Sequence, residues 1–598
     1  MPKSKLDLTI KPHRALPERC GSVVVKGAGS KDYEFPLDLV GTVLKKTRKP
    51  RLIVPPSITI PGASKFFLPQ GSGFWDFLKP AVAKVEDSNF QGLLDGADII
   101  QRRIISRQSD FLMEKFFGDM QETALLAAKQ MDARYQPAIA AHQRQVKALR
   151  QQVEKAFPQI VKELAQRNPG VPVAALMQHA LQMLAEELAP IIGVLSIYTD
   201  AFRQRLSGRF EKMLKSLDFY MEENFLFWQT GSLDMALAGN VVPTLPTSSF
   251  QVGDVLLSSF GGQGLGTVPG SKGPIGLHLL MLPSDMQGWM PPGLPLCNHE
   301  SRHQIYNDVK GLESDEQKAL RAALINGAKT GAFRLSTDKI KIGKFSANLL
   351  DLLVKMVADT IGEIDADLVG GMLNTGPQFG KSMLLSFPAM LIRNGRVKDA
   401  KKLLRTNSVY SLNETEDGNK ELEFEPHPPD WIRAHILAAG LDEIGLKQDA
   451  QEVRGLADDA VGNAPDAITW QDGSGKSSVV VSIPSKDIKA VAPTIAKCLI
   501  REKLPSLNGL SNGDYAMWNG ARQAKVDILA QILRSGKADV PTDKGSIFAS
   551  YVGAAAAKAF WDGVHTKGVN GSDLLDELNE NTFKMLATLE ERRKNGGK

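Results

Sequence analysis

Two of the nine histidines in this 598-residue chain stand four apart, in the stretch LCNHESRHQIYNDV, as His299 and His303. Positions i and i+4 of an α-helix share a face, so both imidazoles can reach one metal ion. Glu300 follows the first histidine and would project beside the open coordination position, where it can take a proton from a zinc-bound water. The bland alternative is a pair of surface histidines. A catalytic zinc needs a third protein ligand and keeps one position for water. Downstream, VADTIGEIDADLVGG is rich in carboxylates, and Glu363 and Asp367 again share a helix face. One can bind the metal, and the other can accept the distal N–H of a bound histidine, fixing its tautomer. Spacing alone leaves Asp359, Glu363 and Asp367 open as the ligand, and it also fits an acidic solvated face.

The pattern Glu363-x-x-x-Asp367-x-x-Gly370 resembles the second signature of the gluzincins. The form E-x-x-A-D, with Ala366 before Asp367, is similar to that of the CAAX prenyl proteases and bacterial heat-shock membrane proteases. Their third element, H-P-P-x-x-x-R, has a counterpart in the run from His427, Pro428 and Pro429 to Arg433. The resemblance runs from His299 to about Gly440. It implies a zincin-like metallopeptidase core with Zn2+ as cofactor and His299, His303 and Glu363 as ligands. It places Asp367 behind one histidine, and His427 and Arg433 along the cleft, stabilising the oxyanion or holding substrate. Cationic donors beside a metal suit the charge of a tetrahedral intermediate. Arg302 stands where zinc peptidases usually carry an uncharged residue, which leaves the burial of the metal helix open. The family compared is membrane-embedded, and this chain lacks the ~20 apolar residues of a spanning helix. Prenylated or membrane substrates therefore do not carry over.

These side chains need a scaffold, and composition divides the chain into four. Residues 1–89 read as β-rich, from the runs LDLTI, SVVVKG, RLIVPP and SITIPG between Pro and Gly turns. Residues 90–238 read as a long helical arm or bundle, with Ile100, Ile104, Leu112 and Phe116 at helical spacing. Pro137, Pro158, Pro169 and Pro172 divide it into several helices, and the apolar window Leu188 to Tyr198 reads as a core helix. Residues 239–463 hold the metallopeptidase core, with GLHLLMLP as a strand candidate and NETEDGNKELEFEP as a polar loop. Residues 464–598 read as mostly helical. The expected fold class is α+β, predominantly helical.

Other residues carry weaker signals. His278 reads as a core or edge histidine, on a strand of the kind that pairs with extended peptide in zinc peptidases. Cys297 reads as a small buried hydrophobe and His435 as a helix-surface residue. Gly475-Lys476-Ser477 ends like a phosphate-binding loop, but Trp470 replaces the required first Gly, so a hairpin turn is the better reading.

The net charge of 72 − 67 = +5 gives no expectation of nucleic-acid binding. With 43% hydrophobic and 23% charged residues the chain is of globular type, which excludes wholesale disorder. Cys20, Cys297 and Cys498 are too few for a disulfide framework or a thiolate zinc site. The first residues carry no signal-peptide core, so a cytoplasmic protein with reduced thiols is expected. The basic run Lys45, Lys46, Arg48, Lys49 and Arg51 reads as a solvated loop. The functional expectation is a zinc metalloendopeptidase acting on a protein or peptide substrate. The alternative is a helical structural or partner-binding protein, retaining a zinc site and working through residues 90–230. A peptidase gated by that arm combines the two.

Overall fold

The computed structural model describes residues 6–8, 10, 22–26, 32–35, 117–171, 173–208, 210–230, 256–262, 266–268, 278–393, 403–414, 419–462, 464–473, 480–542, 547–566 and 569–595. The strand candidates RLIVPP and SITIPG, the basic run from Lys45, the start of the helical region near Phe90 and the Gly475-Lys476-Ser477 turn lie outside them. The fold is predominantly helical with several small sheets, and the chain divides into two compact units.

One unit comprises 16–208 with 273–276. Among its described residues it contains a hairpin of β2 (Ser22–Lys26) and β3 (Asp32–Phe35) and the helices α1 (Asp119–Gln130), α2 (Gln136–Arg167) and α3 (Val173–Leu206). Apolar residues three and four apart, such as Val146, Leu149, Val153, Ala156 and Ile160, line the buried face of α2. Pro137 sits in the first turn of α2, where no N–H partner is lost. Pro158 is accommodated inside the same helix instead of ending it, whereas the break before Pro137 separates α1 from α2 and the break near Pro169 separates α2 from α3. Leu188, Leu195 and Tyr198 of α3 are buried, and among the described residues no helix is long and apolar enough to cross a membrane.

The other unit comprises 1–15, 209–272 and 277–598. These limits differ from those that composition suggests. Residues 464–598 share a core with 239–463, and β1 (Leu6–Asp7) and α4 (Glu211–Thr230) belong here too. A three-stranded sheet of β4 (Leu256–Gly262), β6 (His278–Pro283) and β5 (Gly266–Val268) has β6 in the centre, parallel to β4 and antiparallel to β5. β6 leads through a short 3-10 turn into α5 (Met290–Asp308), whose first turn holds Pro291 and Pro292. α6 (Leu312–Thr330) follows, then the hairpin β7 (Lys339–Ile342) and β8 (Phe345–Asn348).

Next comes α7 (Leu349–Asp359), capped by the Asn348 side chain on the Leu350 amide, and α8 (Ile361–Asp365). The chain then makes a π-helical segment, Ala366–Met372, before α9 (Leu373–Thr375) and α10 (Pro377–Arg393). The described residues of the stretch NETEDGNKELEFEP are largely strand and not a polar loop. They contribute to β9 (Asn407–Glu414) and β10 (Lys420–Phe424), because Leu422 and Phe424 alternate inward while Glu423 points out. These strands join β1, β11 (Ala467–Asp472) and β12 (Val480–Pro484) in a five-stranded sheet of order β1-β10-β9-β11-β12. β11 and β12 pair antiparallel, as a hairpin requires.

The remaining helices are α11 (Asp430–Glu443), α12 (Lys447–Asp459), α13 (Ser485–Arg501), α14 (Asn512–Tyr515), α15 (Gly520–Arg534), α16 (Ala549–Val564) and α17 (Gly571–Lys594). α5 packs against α4, α10, α16 and the π segment. The small residues Gly553, Ala554, Ala555, Ala556 and Ala557 of α16 are buried, and small side chains of this kind permit close helix approach. α5 is accordingly buried around most of its circumference, Arg302 included.

Candidate metal centre

His299 and His303 occupy one face of α5, and Glu363 of α8 meets them. One donor atom from each lies within 4.8 Å of the others. The two Nε2 atoms are 3.0 Å apart. Glu363 places Oε2 3.5 Å from His299 Nε2 and Oε1 3.2 Å from His303 Nε2. Behind His299, Nδ1 lies 2.9 Å from Asp367 Oδ1. A carboxylate can only accept here, so Nδ1 carries the proton and Nε2 is left to offer its lone pair to a metal. The donors thus fit a metal ion held by two imidazoles and one carboxylate. Three protein ligands are also the complement that leaves a coordination position open for chemistry.

Arg433 of α11 secures both carboxylates. Its Nε and Nη2 donate to Asp367 at 2.7 and 2.8 Å, and Nη1 lies 3.3 Å from Glu363 Oε2. His427 precedes α11; its Nε2 is 3.4 Å from Glu363 Oε1, and its side chain is 58% exposed. Glu300 is buried beside His299. No described residue gives its carboxylate a hydrogen bond or ion pair.

The electrostatics follow from crowding opposite charges in a buried place. Burial opposes the charged form of His299, but hydrogen bonds and charge from Asp367 and Glu363 outweigh it and raise its pKa to about 10. Burial would also raise Glu363, yet the charges of His303 and Arg433, with hydrogen bonds from both histidines, hold it well below the usual carboxylate range. Asp367 is lowered in the same way, against burial, by Arg433 and His299.

The carboxylates near Glu363 do not form a solvated face. Asp359 is buried and bound to Lys355 Nζ at 2.7 Å and to the Phe424 amide at 3.0 Å, which removes it as a ligand. Arg433 is placed differently from the cleft-lining role expected of it, since its guanidinium is engaged by Asp367 and Glu363. His435 is not on the surface: it is buried, bound to Asp458 Oδ1 at 3.0 Å, and burial lowers its pKa to about 4. Cys297 is fully buried, and burial beside Glu300 pushes its thiol up. His278 is buried on β6, and both edges of that strand are already paired, so β6 cannot take up an extended peptide.

Sequence reasoning missed a second buried cluster beneath the ligands. Arg302 donates from Nε to Asp365 Oδ2 at 2.6 Å and from Nη2 to Asp365 Oδ1 at 3.1 Å. Nη2 also reaches Asn512 Oδ1 at 2.8 Å, and Asn512 Nδ2 donates to Glu316 Oε1 at 3.0 Å. Burial and the adjacent Asp365 charge raise Glu316 well above the usual carboxylate range, against the opposing charge of Arg302, whose Nη2 lies 3.9 Å from Glu316 Oε1. The unexpected charge of Arg302 within the histidine motif was the cluster's only trace in the sequence.

No protein-family model, no curated protein and no solved structure matches the chain. Its chemistry is read from the site itself.

Proposed function

We propose that the chain is a zinc-dependent metallopeptidase of gluzincin type, built on a zincin-like core and cleaving peptide bonds of a protein or peptide substrate. The observation that carries this reading is the convergence of His299, His303 and Glu363, with Asp367 hydrogen-bonded to the far side of His299. Zinc suits a set of two imidazoles and a carboxylate, and would supply Lewis acidity toward a carbonyl and toward water. Glu300 takes the proton of the attacking water and returns it to the leaving amine. Its carboxylate, engaged by no described partner, is available for both transfers. His427, at the exposed rim beside Glu363, donates to the developing oxyanion. Arg433 holds Glu363 and Asp367 in place, and Asp367 keeps the His299 ring in the tautomer whose Nε2 faces the ligand cage.

The test compares wild type with Glu300→Gln for zinc content and for cleavage of an unstructured protein. The expected result is one zinc per chain in both, with cleavage lowered about 10²–10⁴-fold in the variant, the usual worth of a positioned acid–base group. Equal cleavage by both proteins, or wild type without stoichiometric zinc, overturns the assignment.

A further inference from the structure

We propose that Arg302 is a positioning residue for the metal ligands, setting the register of the histidine helix against the glutamate helix through its fork on Asp365. The proposal rests on the zinc reading above and extends it to residues outside the ligand set. Arg302 immediately precedes His303, and Asp365 lies midway between Glu363 and Asp367. One bidentate link therefore joins the histidine helix, next to His303, to the segment that carries Glu363 and Asp367. Both partners are fully buried, so water offers no alternative hydrogen bonds to either.

The guanidinium is also fixed from a third direction. Asn512 accepts from Nη2 and donates to Glu316 and to the Leu499 carbonyl at 2.9 Å. On the stem side there is no slack. A Cβ at Gly370 would overlap the Arg302 Cβ and stand 2.8 Å from the Asn298 carbonyl oxygen. The π segment thus lies directly against the backbone of α5 at Arg302, and sliding either element displaces both.

Zinc sites tolerate ligand displacements of only about 0.2 Å. A link that fixes register to that level acts on metal affinity, whereas a link that only holds the fold does not. Lysine keeps the charge of Arg302 and loses the two-pronged geometry. An apolar pair, Arg302→Met with Asp365→Leu, removes the buried charges while filling similar space, an exchange that folded proteins often accept.

The experiment uses the full chain and reads zinc affinity by chelator competition and the visible absorption of the Co2+-loaded protein, with thermal unfolding of the metal-free form as the folding control. Arg302→Lys is expected to fold, to bind zinc about 10–100-fold more weakly and to shift the cobalt band. If Arg302→Lys does not fold, the Met/Leu pair is read in its place, with the same expectation. A folded variant with affinity within about twofold of wild type and an unchanged cobalt band overturns the proposal alone. Wild type that takes up neither metal overturns the zinc reading and this proposal together.

Discussion

His299 sits between two carboxylates that both favour its charged form, so a metal bound at the proposed site would have to displace a proton. Its pKa of about 10 in the metal-free fold lies above the 6.5 of the unfolded chain. The stabilisation it supplies is fully present below pH 6.5 and is lost as pH rises through about 10. A metal would need the Nε2 lone pair, so loading of the proposed site would release this proton. Zinc affinity is expected to rise about tenfold per pH unit between pH 7 and 9, one proton per metal. Chelator-competition titrations at several pH values check this, and a flat profile would show that His299 does not gate loading. Glu363 works in the opposite direction. Its lowered pKa stabilises the metal-free fold above the ordinary carboxylate range, and that contribution disappears as pH falls through its depressed value.

At the level of elements, the critical contact is between α5 and the π segment. A π turn inserts a residue into a helix and is often found at functional sites. Here it begins at Ala366 and includes Asp367 and Gly370. Gly370→Ala would put a methyl group into the Arg302 stem, and overpacking of this kind costs about 1–3 kcal/mol. The expected outcome is a lower unfolding temperature together with weaker zinc binding, measured on the same preparation. Unchanged melting would mean that the two elements are less tightly packed than the distances show.

Local helix geometry made His299 and His303 legible in the sequence and put Glu363 and Asp367 on a shared face, because i and i+4 positions encode a face without reference to the rest of the fold; the choice of Glu363 over Asp359 and Asp367 came only from the resemblance. Arg302 and Asp365 were not legible as partners. They are 63 positions apart, and only the crossing of two helices brings them together. The strands β9 and β10 were obscured by their acidic and amide residues, although KELEF already alternates with period two. His435 was misjudged because its burial depends on Asp458, Trp431 and Lys489 meeting around it.

For the whole molecule, the position of α4 decides which truncations can succeed. Asp218 of α4 accepts from the Ser258 amide and hydroxyl at 2.8 and 2.6 Å. Glu223 binds Arg593 at 2.7 Å, and Asn224 donates to Asn298, the residue before His299. A deletion of the helical region that ends at Gly208 is therefore expected to retain stoichiometric zinc. One that ends at Thr230 is expected to lose it, since it strips the partners of buried polar groups next to the metal helix. Metal analysis and melting of the two proteins separate these outcomes, and zinc retained by both would show α4 to be dispensable. A test of gating by the arm must use the shorter deletion.

The hydrogen bond from Arg302 to Asn512 spans 210 positions, and this separation has a meaning in time. At about 5–20 residues per second, a ribosome delivers Asn512 roughly 10–40 s after Arg302. Throughout that interval the helix bearing both histidines has been made while part of its support has not. The proteolytic site proposed here is therefore completed late in synthesis, and a nascent chain stalled before Asn512 carries the catalytic motif without the full framework that aligns it.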